Sequence, residues 1–375
     1  MFPYQKINRE MAAWVVETAT EEKALAALAS ARPGIKELLL LISPPAVGLL
    51  ESIRAKAAAI RLARFGRTVG LYAPLYLSNA CVNSCAYCGF RAQTAADRRV
   101  LSIDEAITEA ETIRGYGIDS LLLVCGEDPK HVSVAYLEKL LQRLRRLFSY
   151  VAIEIYPMGR QEYSRLFEAG VHGLTIYQET YAPDAYRQFH LAGPKKDYER
   201  RLRALEDGAM AGFHNLGIGA LLGLSEWRVE AACLAAHAVW LRKNFWRSRI
   251  QLSFPRITSI KGGFIPPCPI GEEELEAMAL AFRIVFPDAD ISISTRERPG
   301  FRERLALTCA NRISAGSKVA PGSYALGMDS LEQFSVMDQR SVAEVAASLR
   351  SRGLEPVFKD WDAVLGSVSS AAQVS

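Results

Sequence analysis

Leu75-Tyr76-Leu77-Ser78-Asn79-Ala80-Cys81-Val82-Asn83-Ser84-Cys85-Ala86-Tyr87-Cys88-Gly89-Phe90 joins an apolar, strand-like run to three cysteines at C-x3-C-x2-C spacing. A loop this short brings its thiolates round one inorganic centre, because a metal neutralises the charge that each carries. The count of three is informative. Structural zinc normally takes four protein ligands, whereas three leave one coordination position for a small molecule. Soft thiolates favour zinc or iron-sulfur chemistry, so the stretch reads as a [4Fe-4S] site with one open iron. A zinc site completed from elsewhere in the chain is the alternative.

A strand followed by a ligand-bearing loop is the repeating unit of an α/β protein, and the pattern recurs downstream. Strands are expected at Leu71 to Ser78, Ser120 to Cys125, Val151 to Tyr156, Gly173 to Gln178, Leu216 to Leu222, Ile250 to Phe254, Ile291 to Ser294 and Arg312 to Ser314. Amphipathic helices lie between them. One opens at Ser102-Ile103-Asp104-Glu105, a capping box with Ile107, Ala110 and Ile113 on one face. Eight β/α units predict a parallel sheet closed into a (β/α)8 TIM-type barrel over residues 70–330. An open doubly wound sheet is the competing arrangement. Residues 1–69 read as an N-terminal helical extension, with helices at Glu21 to Ala31 and Val47 to Phe65 and a cap at Ser43-Pro44-Pro45. Residues 331–375 read as a C-terminal cap and tail, the last Ser-rich stretch frayed.

The 375 residues carry 45 Lys and Arg against 41 Asp and Glu, a net +4 that argues against a nucleic-acid partner. Half of the residues are hydrophobic, enough for a large core. The most apolar run, Leu38 to Leu50, is too short for a bilayer and is broken by Pro44-Pro45, so no membrane partner is expected. Three of seven cysteines fall within eight residues, which suits metal ligation in a reducing cytoplasm better than a disulfide framework. The five histidines have no metal-ligand spacing and read as structural.

In α/β barrels the chemistry sits at the C-terminal strand ends. There the chain places Gly126-Glu127, Glu154, Gln178-Glu179, Gly219 and Gly223 with Glu226, Arg296 and Ser314. A Gly lets backbone approach a ligand, and a Glu can accept from an ammonium group. Glu154 alternates with apolar neighbours and is expected to face inward. An Arg beside hydroxyls can clamp a zwitterionic amino acid, although Arg296-Glu297 also fits a surface pair, and Arg201 a solvated helix face.

Taken together, Tyr76 to Asn79, Cys81 to Phe90, Gly126-Glu127, Tyr177 to Tyr181, His190 to Gly193, Gly219 to Ser225, Ser253 to Arg256, Ser294 to Glu297 and Lys359-Asp360-Trp361 resemble the ThiH family. These are the radical S-adenosylmethionine tyrosine lyases, or 2-iminoacetate synthases, of thiamine biosynthesis. The resemblance runs from about Phe65 to Leu365. It implies that Cys81, Cys85 and Cys88 bind the cluster and that S-adenosyl-L-methionine chelates its open iron. Tyr87 would lie near the adenine, Gly126 and Glu127 would receive the methionyl ammonium, and Arg201 its carboxylate. Gly219, Gly223 and Glu226 would flank the adenine. Glu154, Gln178 and Glu179 would contact ribose or substrate, and Arg296 and Ser314 would clamp the amino acid.

The implied reaction cleaves the Cα–Cβ bond of tyrosine to p-cresol and 2-iminoacetate. Reduced flavodoxin or ferredoxin would be the electron donor, and the thiazole synthase ThiG would be the partner receiving the imine. Two positions depart from the family pattern. Tyr156 stands where Gln is expected and Cys125 where Thr is expected, which keeps a tryptophan lyase of the NosL type as an alternative. No cysteine follows Cys309, so the second-cluster activity of HydG is not expected.

Overall fold

A computed structural model describes residues 2–4, 9–258, 263–328 and 330–359. Four helices come first: α1 (Arg9–Glu17), α2 (Glu21–Ala29), α3 (Ile35–Leu41) and α4 (Leu50–Phe65). The strands and helices then alternate: β1 (Thr68–Ser78), α5 (Ile103–Gly115), β2 (Ser120–Cys125), α6 (Val134–Leu144), β3 (Tyr150–Glu154), α7 (Arg160–Glu168) and β4 (Gly173–Thr175). After β4 come α8 (Pro183–Phe189), α9 (Tyr198–Ala211), β5 (Asn215–Gly219), α10 (Trp227–Asn244), β6 (Arg249–Ser253), α11 (Glu272–Val285), β7 (Asp290–Ile293), α12 (Phe301–Thr308) and β8 (Arg312–Ser314). A last helix, α13 (Val342–Arg350), and a short strand, β9 (Glu355–Val357), complete the described chain.

Every neighbouring pair among β1 to β8 is parallel, and β1 pairs with both β2 and β8, so the sheet closes. This is the TIM-type barrel, not the open sheet. All eight expected strands are present. Several stop short of their expected ends because the residues beyond leave the ladder to form the mouth; β4 ends at Thr175 and β5 at Gly219. The capping box forms as read: Ser102 Oγ accepts from Glu105 N at 3.3 Å and Glu105 accepts from Ser102 N at 2.7 Å. Such a cap contributes about 1 kcal/mol.

The proline expectation needs correction. Pro44 and Pro45 open a 3-10 segment to Leu49 rather than the first turn of α4, and Ser43 gives its hydroxyl back to Leu40 O at 2.7 Å instead of capping. Two prolines lack N–H groups, so few orphan donors need a cap. Leu38 to Leu41 are each at most 5% exposed, and α3 and α4 pack on α11, α1 on α10. Among the described residues no single helix is long and apolar enough to cross a membrane. The pair formed by Ile35–Leu41 and Pro44–Phe65 reaches that length only with a 78° bend.

At the N-terminal end of the barrel β9 pairs with Thr68 to Gly70, below the stretch of β1 that pairs with β2. Buried Arg61 ties α4 to this floor by donating to Thr68 O at 2.6 Å and Ala310 O at 3.3 Å. At the opposite end, residues 317–328 and 330–338 form a strap, of which Ser317, Val319, Gln333 and Phe334 line the site. Arg302 of α12 pairs with Asp338 of the strap, both essentially buried. Asp360, Trp361 and the Ser-rich end lie outside the described residues.

Candidate active site

Period-two alternation decides what faces the barrel interior. On β1 the inward set is Tyr72, Pro74 and Tyr76; along β4 and its extension it is Thr175, Tyr177 and Glu179. These residues wall two adjoining chambers. The thiol chamber is lined by Cys81, Cys85, Cys88, Gly126, Glu127, Tyr156 and Arg201. The other is lined by Tyr72, Tyr76, Tyr87, Ser294, Arg296, Ser314 and Phe334. Cys88, Val124, Glu154, Tyr177, Glu179, Lys195 and Gln333 line both.

The cysteine loop is held on two sides. A register shift between Tyr76 and Ser78 precedes the last pair of the ladder, Ser78 with Cys125, and Val82 N then donates to Glu127 O at 2.9 Å. Gly126 backs the loop so closely that a Cβ there would stand 2.2 Å from Ala80 O and 3.0 Å from Cys81 Cβ. On the other side the segment after α8 pairs antiparallel with the loop. Ala86 N donates to Phe189 O at 2.9 Å, Ser84 N to Ala192 O at 3.0 Å, and Leu191 N to Ser84 O at 3.1 Å.

His190, read as structural from sequence, sits in this clamp. Its Nδ1 lies 2.7 Å from Tyr186 O, which can only accept, so Nδ1 carries the proton and Nε2 accepts from Tyr87 Oη at 2.8 Å. Burial holds the imidazole neutral, with its pKa down at about 3.

The donor set fits a cluster. All seven cysteines are free, and burial pushes the Cys85 thiol up to about 12, so the thiolate form requires a cation to hold it. Among the described residues no three His, Cys, Asp or Glu side chains are grouped to grip one metal ion. The three thiols line one chamber. Beside them lie two cations, Lys195 and Arg201, and three carboxylates, Glu127, Glu154 and Glu179.

The carboxylates of the chambers differ sharply. Glu179, with φ of 70°, is the one non-glycine residue in the left-handed region among the described residues. Its Oε1 accepts from Lys195 Nζ at 2.7 Å and from Arg201 Nη2 at 3.1 Å. Burial alone would raise its pKa, but those two cations outweigh burial and hold the carboxyl at about 2. Glu154 faces the same space, and among the described residues it has no such partner. Burial first, and Glu179 second, push it up to about 7, against the pull of Arg296, Arg201 and Lys195. Glu127 accepts from Asn83 Nδ2 at 2.6 Å, and Asn83 Oδ1 in turn accepts from Lys195 N at 2.9 Å.

Most of the residues singled out from sequence converge here: the three cysteines, Tyr87, Gly126, Glu127, Glu154, Glu179, Arg201, Arg296 and Ser314 all line a chamber. Two do not. Gln178 falls between inward Tyr177 and Glu179, so it points outward, its Nε2 3.5 Å from Tyr198 O. Glu226 is the N-cap of α10, accepting from Val229 N at 2.7 Å. Gly219 and Gly223 act indirectly. A Cβ on Gly219 would meet the Tyr177 ring at 2.7 Å, and Gly223 turns the chain at φ of 118°. Tyr156 and Cys125, the two departures, both lie on the thiol chamber, where Tyr156 Oη donates to Val132 O at 2.5 Å. Neither lines the chamber that holds Arg296.

Sequence reading missed Lys195, Gln333 and Phe334, which reach the site from loops. It also passed over Tyr72, Tyr76 and Tyr177, which the alternation of β1 and β4 signals.

A barrel with three loop thiols beside charged groups suited to a zwitterion is that of the radical S-adenosylmethionine enzymes. The family profile described as Radical SAM superfamily matches residues 75–235, and that of the Biotin and Thiamin Synthesis associated domain matches 253–355. The chain is 41% identical over 334 residues to the 2-iminoacetate synthase of Escherichia coli (strain K12), covering 89% of each chain. It is 41% identical over 344 residues to the 2-iminoacetate synthase of Salmonella typhimurium (strain LT2), covering 92% of this chain and 91% of that one. The protein belongs to the 2-iminoacetate synthase family. A crystal structure of HydG, a maturase of the [FeFe]-hydrogenase, superposes with a TM-score of 0.89 at 27% identity, covering 98% of this chain and 85% of that one.

Proposed function

We propose that this protein is a radical S-adenosyl-L-methionine lyase that cleaves the Cα–Cβ bond of L-tyrosine to 2-iminoacetate and p-cresol. The observation that carries the reading is the pair of adjoining chambers. Three cysteine thiols wall one, a half-buried guanidinium flanked by hydroxyls walls the other, and Glu154, Tyr177 and Glu179 face both.

Cys81, Cys85 and Cys88 would hold a [4Fe-4S] cluster, and Glu127, Lys195 and Arg201 would hold the charged ends of S-adenosyl-L-methionine. When bound, the cofactor pair supplies reductive C–S cleavage and a 5′-deoxyadenosyl radical for hydrogen abstraction. The chain's own residues do the rest. Arg296 would bind the substrate carboxylate, as among the described residues it has no ion-pair partner, and Ser314 Oγ, which accepts from Thr295 N at 3.2 Å, retains its proton to donate. Glu154 would accept from the substrate ammonium. The walls of Tyr72, Pro74, Tyr76 and Tyr177 exclude water from a reactive carbon radical. Electrons from reduced flavodoxin or ferredoxin, and a thiazole synthase of the ThiG type to consume the unstable imine, complete the proposed cycle.

The test is anaerobic incubation of reconstituted protein with reductant, S-adenosyl-L-methionine, and either tyrosine or tryptophan. p-Cresol from tyrosine is expected. 5′-Deoxyadenosine without p-cresol rejects the tyrosine assignment, and 3-methylindolic acid from tryptophan replaces it with the tryptophan-lyase reading.

A further inference from the structure

We propose that Phe334 is a positioning residue for the substrate carboxylate and acts through Arg296. The proposal rests on the reading above, in which Arg296 binds the carboxylate of an aromatic amino acid. The Arg296 guanidinium carbon lies 3.4 Å from the centroid of the Phe334 ring, which is face-on stacking distance. Stacking occupies the face of the guanidinium and leaves its N–H edges in plane, which are the edges that a carboxylate takes bidentately. Burial lowers the pKa of Arg296, and among the described residues no carboxylate pairs with it. A cation in that setting depends on the ring for its orientation.

The ring is itself fixed. Gln333 N donates to Val319 O at 3.2 Å, and Gly89 N donates to Gln333 O at 3.1 Å. Tyr76 Oη donates to Gln333 Oε1 at 2.6 Å. Three residues further along the strap, Met337 N donates to Thr295 O at 2.9 Å, beside Arg296 itself. The strap thus meets both β1 and the loop that carries Arg296, with Phe334 between these attachments. An aliphatic side chain would fill the same space without a π face.

The experiment compares Phe334→Ala, Phe334→Leu and Phe334→Trp in the cluster-loaded protein. Three quantities are read: KM and kcat, calorimetric binding of tyrosine and of tryptophan with S-adenosyl-L-methionine present, and the change in the reduced cluster's EPR spectrum on adding S-adenosyl-L-methionine. The Ala and Leu variants are expected to raise KM and weaken amino-acid binding about tenfold with kcat within about threefold of wild type, while the Trp variant stays near wild type. The EPR response is expected to be unchanged throughout. Retention of wild-type binding by the Leu variant overturns the proposal, as does a fall in kcat with no change in KM. If the Ala variant loses iron, the Leu and Trp variants decide alone. Wild-type protein separates the two readings. No p-cresol from wild type rejects tyrosine as substrate, and binding still tests Phe334; p-cresol with unaltered variants rejects the role of Phe334 only.

Discussion

Glu154 and Glu179 share one chamber and respond to acid in opposite directions. Glu179 is held at about 2 by Lys195 and Arg201, so its contribution to stability is present above the ordinary glutamate range and is lost as pH falls from about 4.5 toward 2. Glu154 is raised to about 7, so its charge opposes folding as pH rises through that range. In metal-free protein, Glu154→Gln is therefore expected to stabilise at pH 8, by at most about 3 kcal/mol, and to do nothing at pH 4. Urea unfolding at both pH values checks this. An equal effect at both would mean that Glu154 acts through packing and not through charge. Period-two alternation, applied strictly, also separates inward Tyr177 and Glu179 from outward Gln178. Lys195 had no such signal, because it lies on no strand and reaches Glu179 only through the turn that follows Gly193.

At the scale of elements, all eight barrel strands were legible, since each is a short apolar run bounded by turn residues and helical periodicity. Their ends were less so, because the ladder stops where inward side chains begin to serve the mouth. The clamp of Phe189 to Ala192 on the cysteine loop was not legible at all, as antiparallel pairing between two loops leaves no periodic trace. Glycines at these junctions give a direct test. Gly126→Ala would drive a methyl onto Ala80 O, and it is expected to lower stability by more than about 2 kcal/mol and to cut iron uptake on reconstitution. Gly115→Ala, at the end of α5 with nothing within 4 Å, is expected to stabilise by about 0.5 kcal/mol. Calorimetric melting with iron analysis reads both, and a neutral Gly126→Ala would show that the loop can move away from β2.

Across the whole molecule, long-range ties decide what closes the barrel. Asp338 accepts from Arg302 and from Arg340, and Arg302 also donates to Ser314 O, so one ion cluster joins the strap, α12 and the end of β8. Asp338→Ala strands a buried guanidinium and is expected to cost about 3–5 kcal/mol, with KM for the amino acid rising as the strap loosens. Arg302→Met with Asp338→Leu, which removes both charges, is expected to recover much of the stability but not the KM. Denaturation and steady-state kinetics on the single and double variants separate the two effects. None of these ties was readable from the sequence, because charge pairs distant along the chain leave no local pattern.

The edge of β1 that β9 and β2 share in tandem has a consequence for how the protein is made. β1 gains its β8 and β9 partners only from the last part of the chain, yet the cysteine loop follows β1 directly. During synthesis the three thiols emerge long before Gln333, the last residue in the chain to line their chamber, and the barrel floor is completed later still, when β9 reaches Thr68 to Gly70. The order of synthesis thus builds the thiol loop first, its far wall second and the floor beneath the barrel last.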